Sequence, residues 1–174
     1  MKQLAAVATA VIMTAAIVGA ATQAKPSFAG KWTLQADPNA AAAPAGGAGG
    51  RQGGGRGGGG GQFCGMECTI TQDATTLVVS RTTPAGDVKA TYKLDGTDSK
   101  NTTNFGGNEM VSTSKASWDA SKLAISTAQD FNGTAITSKT VLSTDAAGNL
   151  VVERTAPGRN GGEATTTKQT YKKG

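Results

Sequence analysis

A two-residue hydrophobic period constrains this chain more than any other feature. Between Asp87 and Leu94 the residues Val88, Ala90, Tyr92 and Leu94 fall on one face, while Asp87, Lys89, Thr91 and Lys93 fall on the other. Successive side chains of a strand point to opposite sides of a sheet, so this segment reads as a strand with one face buried and one in water. Similar runs occupy about 30–35, 69–73, 76–83, 108–118, 122–131, 134–144, 149–156 and 163–172, with a shorter one near 100–105. Beyond residue 24 no helical period of any length occurs. Turn signals separate the runs at Pro84-Ala85-Gly86, Asp95-Gly96, Gly106-Gly107-Asn108, Asn132-Gly133, Ala147-Gly148-Asn149 and residues 157–162. Asn132-Gly133 is the strongest of these, because both central residues of a type I′ turn need positive φ. Asp73, Asp95, Asp119 and Asp145 each follow a strand-like run and precede a turn or another run, where a carboxylate bonds backbone N–H groups just ahead of it. About 8–10 strands joined in sequence order predict an all-β fold, an antiparallel up-and-down meander that curls into a barrel or half-barrel to remove its edges. A two-sheet β-sandwich is the alternative.

Residues 1–24 have the layout of a secretory signal peptide. Lys2 supplies the positive start, residues 4–21 carry no charge, and Thr22-Gln23-Ala24 offers small residues before a cleavage point after Ala24. The apolar run is rich in Ala and only just long enough to cross a bilayer, so no stable membrane span is expected after signal cleavage. The remainder, 25–174, has the length of one domain and would be secreted or periplasmic. A Gly/Ala-rich segment at 36–62 interrupts it. That segment cannot bury enough apolar area to offset its ordering entropy and reads as a flexible loop.

The formal charge of +5 comes from 17 basic and 12 acidic residues. Most basic residues alternate singly with Thr and Ser along the predicted strands. A nucleic-acid binder would cluster them with aromatics on one face, so no nucleic-acid partner is expected. Arg51 and Arg56 within the Gly repeats lack the interleaved aromatics of an RNA-binding segment.

Two cysteines, Cys64 and Cys68, are separated by Gly65-Met66-Glu67. Export would place them in an oxidising compartment, where a disulfide is the expected state. Four steps along a strand would separate their Cα atoms by about 13 Å, whereas a disulfide needs roughly 4.4–6.8 Å, so the pair must close a turn. The chain has no histidine, which removes the commonest general base and the commonest neutral metal ligand. Nearly all the Asp residues sit at turns. No catalytic residue, metal site or cofactor is nominated, and the chain is not expected to be an enzyme.

The segment Phe28-Ala29-Gly30-Lys31-Trp32-Thr33-Leu34 resembles the Gly-x-Trp opening strand of lipocalin-like barrels. With the Asp-turn hairpins and the Tyr171-Lys172-Lys173 ending, the chain is similar to bacterial secreted lipocalin-like proteins of unassigned activity. The resemblance implies that Trp32 plugs the closed end of a barrel under a basic residue from a late strand, with Arg154 or Lys168 as candidates. A barrel of eight to ten strands can enclose a small apolar or amphipathic ligand, and Tyr92, Trp118 and Phe131 are the aromatics on the alternating strands expected to line it. The competing expectation is a structural or cell-envelope interaction protein whose interior is filled by its own side chains.

Overall fold

The computed structural model describes residues 25–36, 63–83, 86–105, 108–131, 133–158 and 162–174. The expected signal peptide, and the Gly-rich segment from residue 37 on, lie outside the described residues. Ten strands follow one another: β1 (Gly30–Leu34), β2 (Glu67–Gln72), β3 (Thr76–Thr83), β4 (Gly86–Lys93), β5 (Asp98–Phe105), β6 (Asn108–Asp119), β7 (Lys122–Phe131), β8 (Thr134–Thr144), β9 (Leu150–Ala156) and β10 (Thr165–Lys173). All pairings are antiparallel, in the order β4-β3-β2-β1-β10-β9-β8-β7-β6-β5. The fold is therefore the expected up-and-down meander, curled into a nearly closed barrel, and not a two-sheet sandwich. Among the described residues no helix is long and apolar enough to cross a membrane.

Alternation decides which side chains enter the barrel. Ile70, Leu77, Val79, Leu94, Ala116, Leu123, Ile125, Leu142, Leu150, Val152 and Tyr171 are buried with Trp32 in a single cluster. Their sequence neighbours on the outer face are mostly Thr, Ser and Lys, whose side chains suit a pleated, solvated surface.

One end, here called the base, is sealed by residues 25–29, which run ahead of β1. Phe28 is fully buried and stacks on Trp118, with ring centroids 5.9 Å apart. Its backbone is fixed at two points: Phe28 N–H donates to Gln72 Oε1 at 2.8 Å, and the Phe28 carbonyl accepts from Trp32 Nε1 at 2.8 Å. A second bond, from Gln72 Nε2 to the Pro26 carbonyl, completes a clamp. The Trp32 indole thus buries its whole ring without leaving its one donor unpaired. The turns at the base are built by carboxylates. Asp73 accepts from the N–H groups of Thr75 and Thr76, Asp95 from that of Thr97, and Asp145 from those of Ala147 and Asn149. The β6–β7 turn is different, with Ala120 at φ 52° following Asp119.

β4 and β5 are consecutive in sequence yet occupy opposite ends of the sheet order. No backbone ladder joins them. Side chains of β5 span the gap instead: the Asn101 amide accepts from Thr91 N–H at 2.7 Å and donates to the Thr91 carbonyl at 3.0 Å, and Ser99 Oγ accepts from Lys93 N–H at 2.8 Å. The Asn101 amide carries the same donor and acceptor as a peptide group, so it replaces one rung of the missing ladder. Both side chains are buried in doing so.

Candidate ligand-binding interior

The interior changes character along the barrel axis. Near the base most inward positions hold Leu, Ile, Val, Ala or an aromatic ring and are buried, with Ser99, Asn101 and Ser114 the buried polar exceptions. Towards the other end the same faces carry Arg81 on β3, Met110 and Ser112 on β6, Gln129 on β7, Ser138 on β8, Arg154 on β9 and Gln169 on β10. Each of these is only half-buried, although its strand alternation points it inward.

Arg81 follows Leu77 and Val79 at two-residue intervals, and Arg154 follows Leu150 and Val152 in the same way. Both strands run away from the base, and each arginine stands two residues before its strand's last residue, Thr83 or Ala156. Each thus stands in the part of its strand remote from the base. In the sheet order β2, β1 and β10 lie between β3 and β9, so in a ring of ten strands the arginines face each other nearly across the lumen.

Burial pushes both guanidinium groups below their usual range, yet arginine stays charged because its ordinary value is above 12. Arg81 lies within electrostatic reach of Tyr92 and Tyr171, which partly opposes that shift. Arg154 Nη2 donates a long bond of 3.4 Å to Ser138 Oγ. No described Asp or Glu faces the lumen. Glu67, Asp98 and Glu153 pair on the outer surface with Lys31, Lys115 and Lys168, Asp87 accepts from Thr82 on that surface, and the other described acids occupy turns or exposed outer positions.

Tyr171 links this region to the disulfide loop. Cys64 and Cys68 are bonded with their Cα atoms 4.9 Å apart, and both are buried. The turn between them carries Gly65 at φ 68°, whose carbonyl lies 3.2 Å from Tyr171 Oη; Gln169 Oε1, at 3.1 Å, is the other acceptor for that hydroxyl. Desolvation raises the Tyr171 phenol to about 12.

The aromatics expected to line a ligand site have different surroundings. Tyr92 faces inward, stacks with Phe63 at a centroid distance of 5.9 Å, and has its phenol pushed up by burial. Trp118 sits at the base, between Phe28 and the ammonium of Lys25, which lies 5.7 Å from its ring centroid. Phe131 closes β7 opposite Thr134, and its side chain lies outside the described residues. Trp32 is 2% exposed at the base. The cation over its ring is Lys173, with Nζ 5.8 Å from the centroid. Arg154 lines the upper lumen, and Lys168 pairs outward with Glu153.

Arg81 escaped the sequence reading although it shares the parity of Leu77 and Val79. Val78 is apolar too, so the run shows no clean alternation and its inward face is not marked. Comparison with protein-family models and with curated proteins finds no match.

Proposed function

We propose that this chain is an exported, non-catalytic barrel that takes a small amphipathic ligand into its upper interior. The observation that carries this reading is the gradient of burial. Most inward side chains near the base are buried, whereas towards the other end they are half-buried and mix polar groups, among them Arg81, Ser112, Gln129, Ser138 and Arg154, with Val88 and Met110. Such an arrangement offers an apolar floor and adjustable polar walls, the usual make-up of a small-molecule site. Ligand binding is tested with the neutral fluorophore N-phenyl-1-naphthylamine. Saturable binding at one equivalent, abolished in the Ser138→Trp variant that fills the lumen, is the expected result. Absence of saturable binding would sink the reading and favour the alternative, a structural or envelope-interaction protein packed with its own side chains. Export is tested separately by the mass of the protein from an exporting host, which should correspond to residues 25–174 with Cys64 and Cys68 bridged.

A further inference from the structure

The lumen holds two cations and no described anion. Partly desolvated guanidinium groups are costly to leave without a partner, and the usual remedy is a carboxylate on a neighbouring strand. This protein has such carboxylates, since Glu153 is adjacent in sequence to Arg154 and Asp87 is on the strand paired with β3. Alternation turns both to the outer surface, leaving Arg81 and Arg154 facing the lumen. Around them are hydroxyl and amide groups: Ser138 beside Arg154, Tyr92 within reach of Arg81, and Gln169 on β10. Below them the floor is apolar. The geometry points to a ligand with an anionic head group, a carboxylate, sulfonate or phosphate, held between Arg81 and Arg154 with its apolar portion directed to the base.

This inference rests on uptake into the lumen and adds the charge of the ligand to it. Guanidinium forks match the planar or tetrahedral oxygens of such head groups, and a charge-assisted bond is about twice as strong as a neutral one. The arginines lie on nearly opposite walls of the ring, so one anion in the lumen can be approached from both sides. The outer basic residues offer no such enclosure. They are exposed, and Lys31, Lys115 and Lys168 are paired with acids.

The experiment compares two probes of nearly the same shape, the anionic 8-anilinonaphthalene-1-sulfonate and the neutral N-phenyl-1-naphthylamine. The wild-type protein should bind the sulfonate at least tenfold more tightly. The Arg81→Gln/Arg154→Gln double variant should lose that preference while binding the neutral probe within about twofold of wild type. The outward variant Lys168→Gln should change neither. Equal affinity of the wild type for both probes overturns the anion assignment and leaves lumen uptake standing. A loss with Lys168→Gln as large as with the arginine pair places the sulfonate on the outer surface and overturns it as well. If neither probe binds, uptake itself fails and the assignment with it. Should the double variant not fold, the wild-type ratio of the two affinities and the single variant Arg154→Gln carry the test.

Discussion

Gly30 and Trp32 are one device. A Cβ at residue 30 would come within 2.8 Å of Lys173 Cε, and the residue itself has φ 149°, a backbone state open mainly to glycine. The bare Cα lets the Lys173 chain run along β1 and place its ammonium over the Trp32 ring. Gly30→Ala should therefore lower the melting temperature and displace Lys173, seen as a shift in Trp fluorescence. Trp32→Ala, which empties the floor, should cost about 3–5 kcal/mol in a urea titration. The turn carboxylates give a pH signature. Hydrogen bonds from Thr75, Thr97 and Asn149 hold Asp73, Asp95 and Asp145 below the ordinary carboxylate value. Groups depressed in the folded state stabilise it above their unfolded value and lose that effect as pH falls through the folded one. Stability should thus decline below about pH 4, and Asp73→Asn should flatten the decline. Tyr171 acts at the other extreme. Its folded value of about 12 exceeds the unfolded value of about 10, so the stability it contributes should be present below about pH 10 and fade between the two values. A pH titration of thermal stability with Tyr171→Phe as control reads both limbs. The importance of Trp32 was legible in its Gly-x-Trp setting. The identity of the residue above it was not, because Lys173 reaches the ring only through the β1–β10 register, a pairing of the two ends of the fold.

Among the strands, those with strict alternation were the easiest to read, and β4, β6, β7 and β8 lie close to where the period placed them. β5 was seen only from about residue 100, but it begins at Asp98. Its residues Asp98 to Asn104 include no apolar side chain, so the signal that marks a buried face is missing. The buried face there consists of Ser99 and Asn101, which serve the seam against β4. Hydrophobic pattern cannot announce a polar residue that is buried because a neighbouring strand lacks its ladder. Replacing Asn101 with Ala would leave the Thr91 N–H and carbonyl without their partner, at an expected cost of about 1–3 kcal/mol. Amide hydrogen exchange should show faster exchange at Thr91 in that variant, with little change at Val79 on the far side of the same hairpin. Equal exchange at both residues would mean that the amide is not a structural rung.

For the whole molecule, the disulfide and the barrel make unequal contributions. The bridge closes a short loop and restrains the unfolded chain by about 2 kcal/mol. A Cys64→Ser/Cys68→Ser variant should accordingly remain folded, with its denaturation midpoint lowered and its cooperativity kept. Sequence reading reached the meander, the strand number and the disulfide because each rests on local chemistry: alternation, turn residues and ring geometry. It did not reach the charged upper lumen, which exists only once strands far apart in the chain are rolled to face one another. The β1–β10 pairing has a consequence for how the protein comes into being. Leu34 meets Tyr171, and the Lys31 carbonyl accepts from the N–H of Gly174, just beyond β10. The hairpins can form one by one as the chain lengthens, but the ring cannot shut until its last strand has been synthesised. A polypeptide of this topology stays open and threadable until β10 has been made, a property that would suit the export proposed above.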